Sequence, residues 1–105
     1  MDDEKLKTEF LLNVVEVNHD LKVMFSSSHN EMVKHPAFIR ILKMGMKAVP
    51  WLFEELENDK GWLPLVALVR ILPKSEQPFI VDSVQGRYDK LCHIWLTWGK
   101  KKGFY

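Results

Sequence analysis

The stretch GMKAVPWLFEELENDKGWLPLVALVRIL, from Gly45 to Leu72, decides how the whole chain is read. Val49, Leu52, Phe53 and Leu56 recur at helical spacing, with Pro50 in the first turn, where a missing N–H leaves no bond unmade. Asn58-Asp59-Lys60-Gly61 then forms a turn cluster, and the run from Trp62 to Leu72 is so apolar that a helix there needs cover over most of its circumference. Pro64 fits its first turn and Pro73 stops it. The stretch is therefore a helical hairpin.

Working outward, Leu6, Phe10, Val14, Val17, Leu21 and Met24 make a stripe at steps of three and four, which predicts one helix from Glu4 to Phe25. Asp2, Asp3 and Glu4 suit its positive end, and Ser26-Ser27-Ser28 ends it. Ser28 and Glu31 have capping-box spacing and open a short helix to Lys34. At His35-Pro36 the proline holds its predecessor extended and begins a new helix bearing Phe38, Ile41, Leu42 and Met44, closed by a left-handed Gly45. Residues 73–85 read as an ordered loop pinned to the core by Phe79, Ile80, Val81 and Val84. A last helix starts at Ser83 or Gly86, carries Tyr88, Leu91, Cys92, Trp95 and Trp98 on one face, and has Gly99 near its end.

The expected fold is an all-α, compact bundle of about five helices in a single domain, 1–105, with the hairpin at its centre and the first helix packed across it. A length of 105 residues suits one core, and 47% apolar with 28% charged residues argues against disorder. Fifteen basic and fourteen acidic side chains leave a net charge of +1, too weak a field to recruit nucleic acid or anionic lipid without a local patch. The start MDDEK has no signal-peptide pattern and no apolar run is long enough to span a membrane, so a cytoplasmic location is expected. One cysteine, Cys92, excludes an internal disulfide.

Two resemblances follow from these residues. Residues 45–72 resemble one HEAT-like helical hairpin, and no second copy at a fixed period is visible. The text SSSHNEMVKHPAFIRILKMGMKAVPWLFEEL with the closing IWLTWGKKKGFY is similar to a family of small uncharacterised bacterial proteins. The family pattern is HPA-aromatic, two apolar residues, MG, VP and an E-x-L ending, then W-L-x-W-G, met here by Ser27, Ser28, His35, Pro36, Ala37, Phe38, Met44, Gly45, Val49, Pro50, Glu55, Leu56, Trp95, Leu96, Trp98 and Gly99. It spans residues 20 to 105 and departs at Trp62-Leu63-Pro64 and Leu72-Pro73, where the family tends to tryptophan-rich text and Thr-Gly. The resemblance implies a fold and a bacterial range and lends no activity.

Chemistry is sparse. His35 before a helix start suits an acid, a base or a ligand, and equally a cap. His19, His29 and His93 give no paired metal spacing, so no metal or cofactor is expected. Glu54, Glu55, Glu57 and Asp59 read as a solvated face, and Cys92 as a small buried hydrophobe. Met44 and Met46 suit an adaptable groove or a core filling.

Trp51 lies about 100° round its helix from Leu52 and about 160° from Phe53, off the buried stripe. An exposed tryptophan beside glutamates is an anchor for a partner, whereas a second helix packed on that side would bury it with no functional meaning. The reading is a non-catalytic protein-interaction module with an aromatic and acidic surface at Trp51, Glu54, Glu55 and Trp62, its partner another protein or a second copy. The alternative is weak nucleic-acid binding by Lys100, Lys101, Lys102 and Tyr105, although the helix macrodipole already accounts for lysines at a C-terminal end.

Overall fold

A computed structural model of the chain describes residues 3–25, 29–58, 61–80, 83 and 87–105. These residues hold seven α-helical segments, two short 3₁₀ turns and no strand, which makes the fold all-α. The chain contacts gather into two compact units, residues 1–48 and 49–105.

The first unit contains α1 (Asp3–Asn18), α2 (Leu21–Met24), α3 (Asn30–Lys34), α4 (Pro36–Met44) and a 3₁₀ turn, Gly45–Ala48. Here α1 lies along α4, burying Phe10, Val14 and Val17 on one helix and Ala37, Phe38 and Ile41 on the other. Asn13 is a polar side chain in that buried face, and its Oδ1 accepts from Arg40 Nε at 2.9 Å, which removes the penalty of an unmet acceptor. Arg40 Nη2 meets Glu16 at 2.9 Å, and Lys47 meets Asp3 at 3.2 Å. Both of these pairs are exposed, so each contributes at most about 1 kcal/mol.

The single helix expected from Glu4 to Phe25 is broken at His19 and Asp20. Asp20 is extended (φ −77°, ψ 122°), and its side chain accepts from Lys22 N at 2.8 Å, so it starts a new helix. The His19 ring Nδ1 lies 2.9 Å from the Val15 carbonyl, which also accepts from His19 N at 3.0 Å. In consequence Leu21 and Met24, the last members of the expected buried stripe, are 66% and 58% exposed. The Ser28 cap falls outside the described residues, while α3 ends at Lys34 and α4 begins at Pro36 as the sequence suggests. Gly45 has the expected positive φ of 61°, but ψ is −137°, outside the left-handed helical basin, and the chain runs directly into the 3₁₀ turn.

The second unit contains α5 (Val49–Glu57), α6 (Leu63–Ile71), a 3₁₀ turn at Lys74–Glu76 and α7 (Tyr88–Lys102). In this unit α5 packs on both α6 and α7. Pro50 and Pro64 each occupy the second position of their helices. Gln77 Nε2 donates to the Val69 and Leu72 carbonyls at 3.0 and 2.8 Å, and so meets acceptors at the end of α6 that the helix cannot. Those two bonds, not Phe79, hold Gln77 to the end of α6, while Val81 and Val84 lie outside the described residues. Phe79, expected to be pinned in the core, is 86% exposed.

The centre of this unit is Phe53, fully buried on α5. Tyr105 stacks on its ring at 5.1 Å and Phe104 at 5.9 Å, while Trp95 and Trp98 each lie at 6.5 Å. The tail reaches Phe53 because α7 ends in a Schellman turn: Phe104 N donates to Gly99 O, Gly103 N donates to Lys100 O, and Gly103 adopts the left-handed conformation (φ 80°, ψ 23°). Gly99 lies in the last turn of α7, near the helix end as expected, and is buried. A Cβ added there would lie 2.5 Å from Phe53 Cε1.

Replacing glycine by alanine inside a helix ordinarily stabilises it by about 1 kcal/mol. Here the sign reverses, because four aromatic neighbours leave the Phe53 ring nowhere to move. Gly99→Ala is expected to lower unfolding stability by about 1–3 kcal/mol in urea titrations. An unchanged or raised midpoint would show that the contact is slack.

Candidate functional site

Among the described residues, one concavity in each unit bears on the expected chemistry. In the first, Asp20, Glu31, Lys34 and His35 line a pocket of about 180 Å³. His35 Nε2 lies 3.1 Å from Asp20 Oδ2, the arrangement that an acid–base site would use. The other nitrogen decides the matter. His35 Nδ1 accepts from Ala37 N at 3.1 Å, so it carries no proton and its lone pair is already engaged. With Nδ1 accepting from Ala37 N, Nε2 is the nitrogen that faces Asp20, and both ring nitrogens are engaged within the fold. His35 is the N-cap of α4, and Asp20 orients it.

This assignment has a direct spectroscopic signature. Two-bond ¹H–¹⁵N spectra at neutral pH should show His35 as the Nε2–H tautomer, with Nδ1 shifted to the unprotonated region. A ring protonated on Nδ1 would show that the cap is not made and that the nitrogen is available for chemistry.

In the second unit, a groove of about 410 Å³ runs between the Gln77–Phe79 segment and one face of α7. Ile94, Thr97 and Trp98 form its floor, Phe79 its lip, and His93 and Lys101 its edge. Trp98 serves two surroundings: it packs on Trp95 and Phe104 at 5.6 and 5.5 Å and also lines the groove. No carboxylate is among the lining residues.

The surface expected from sequence is distributed differently. Trp51 is half-buried on α5, and Glu54 and Glu55, three and four residues on, share its helical face; Glu54 is exposed and Glu55 half-buried. Trp62 stands just before α6 and packs edge-on to Tyr88 at 5.0 Å, while the Tyr88 hydroxyl donates to Gly61 O at 2.9 Å. Trp62 thus fastens the hairpin turn to the start of α7. Cys92 is half-buried. Among the described residues no three His, Cys, Asp or Glu side chains come together as metal ligands.

Of the basic C-terminal residues, Lys100, Lys101 and Lys102 are exposed in the last turn of α7. Tyr105 faces inward, its ring on Phe53 and its hydroxyl donating to Leu96 O at 3.3 Å, so one ring face is not open for stacking on a base. Burial first, and then the nearby negative charge of Glu57, raise the Tyr105 phenol above its ordinary value. A raised value in the folded state means that stability from this group is present below about pH 10 and is lost as pH rises through the folded-state value. Absorbance titration of the phenolates should find one tyrosine ionising late, and Glu57→Gln should bring it down without restoring it fully, since burial is the larger cause. No shift on substitution would remove Glu57 from the account.

The described residues define an all-α protein with an apolar, basic-edged groove, and no described helix is long and apolar enough to cross a membrane. No family model, no curated protein and no solved structure matches the chain.

Proposed function

We propose that the chain is a protein-interaction module without catalytic activity, and that the groove beside Phe79 is its principal contact surface. The observation that carries this reading is Phe79, 86% exposed at the lip of a groove floored by Ile94 and Trp98. Fully burying a phenylalanine is worth about 1.5–3 kcal/mol, and a partner supplies that burial where the fold does not. Aromatic side chains set in grooves are also where interfaces concentrate their energy. Trp51 with Glu54 and Glu55 forms a second, acidic surface on α5 for the same class of function. The engaged nitrogens of His35 support the absence of acid–base catalysis at that pocket.

Because Phe79 is exposed, Phe79→Ser should leave the helical signal and melting temperature nearly unchanged. Immobilised wild-type chain should retain a discrete protein from a native lysate, and the Phe79→Ser chain should retain at least about tenfold less. Trp51→Ala in parallel measures the acidic surface. Equal retention by Phe79→Ser would reject the groove, and equal retention by both variants would reject the reading.

A further inference from the structure

The groove also constrains the chemistry of what fills it, and the following inference rests on the interaction reading above. On α7 the residues Lys90, His93, Ile94, Thr97, Trp98 and Lys101 recur at three, four, seven, eight and eleven positions and so share one helical face. Ile94 and Trp98 supply apolar surface along its middle, with His93 and Thr97 beside them, and its two ends are lysines, about three turns or about 16 Å apart. Neither Lys90 nor Lys101 has a carboxylate partner among the described residues. The groove lining itself has Lys101 and His93 and no acid to balance them. Lys101 lines the groove and Lys90 continues the same helical face about one turn beyond His93, so a ligand laid along that face needs an apolar stripe over Ile94 and Trp98 and an anion toward each lysine.

The backbone separates the two ways in which a peptide could satisfy this. An extended peptide gains affinity by pairing with an open strand edge, and the described residues contain no strand. A helix laid along α7 needs only ridges and grooves of side chains, which the spacing of Ile94 and Trp98 provides. We infer that the groove binds an amphipathic helix of another protein, with an apolar stripe on the Ile94–Trp98 floor and Phe79 lip and carboxylates about three turns apart facing Lys90 and Lys101.

Three synthetic peptides test this, sharing one leucine stripe at helical spacing and carrying glutamate, lysine or glutamine at its two ends. Fluorescence anisotropy should find the glutamate peptide binding about tenfold tighter than the glutamine peptide, weakening as salt rises, with the lysine peptide weakest. Backbone amide shifts should move at Phe79, Ile94 and Thr97. Lys90→Glu with Lys101→Glu should invert the order, so that the lysine peptide binds best. Exposed lysines make a folding failure improbable as an explanation, and a matching circular dichroism spectrum checks it.

Equal binding of the three peptides would overturn the charge assignment while leaving an apolar groove. Binding of none, or shifts elsewhere on the chain, would overturn the inference, and Phe79-dependent capture from lysate then decides separately whether the interaction reading stands. Displacement of the glutamate peptide by single-stranded oligonucleotide, or a dimer in sedimentation that Phe79→Ser dissolves, would assign the groove to nucleic acid or to a second copy and would likewise overturn it.

Discussion

The close approach of Phe53 to the backbone of Gly99 is the contact on which the 49–105 unit depends. Without a side chain at position 99, helix α7 presents bare backbone, and the Phe53 ring fills that space. Everything aromatic in the unit then arranges itself about that ring. Trp95 and Trp98 flank it from α7, and the Schellman turn at Gly103 folds Phe104 and Tyr105 back to stack on it. The groove is a by-product of this packing: Trp98 is held by Trp95 and Phe104 on one side, which leaves its other side for the groove floor.

In the first unit the His35–Asp20 pair, which has the spacing of an acid–base dyad, joins the caps of two helices. His35 and Asp20 lie in a concavity with a carboxylate and a lysine nearby, and proximity alone would suggest proton transfer. Hydrogen-bond accounting gives the opposite answer. The Ala37 amide is one of the donors that a helix start leaves without a partner, and His35 Nδ1 satisfies it. Asp20 does two things at once, capping α2 through one oxygen and orienting His35 through the other. The break after α1 and the start of α4 are thereby fixed by the same pair.

Legibility differed sharply between elements and surfaces. The helix starts at Pro36, Pro50 and Pro64 and the stop at Pro73 could be read because proline restricts the chain locally, whatever surrounds it. The break at Asp20 was hidden, because an aspartate inside a periodic stripe is unremarkable until its oxygens find Lys22 N and His35. Trp51 was rightly separated from the buried stripe by its helical angle, and it is half-buried. Phe79 was misread: apolarity in a loop suggests burial, and nothing local says that Gln77 has taken over the task of anchoring it. The groove had one available signal, the second face of α7 with lysines at its ends, hidden because Trp98 also falls on the stripe of Tyr88, Leu91, Cys92 and Trp95.

By itself the sequence determined an all-α chain, the hairpin of α5 and α6, and most helix boundaries, since periodicity and proline act over a few residues. Only the tertiary structure decided which glycine was there for space and which for its backbone angles, which histidine nitrogen was engaged, and which aromatic residue was left outside. Those outcomes depend on atoms far apart in the chain: Phe53 and Gly99, Asp20 and His35, Gln77 and the end of α6. A local pattern carries no record of such pairs, because each partner taken alone has several equally good ways to be satisfied.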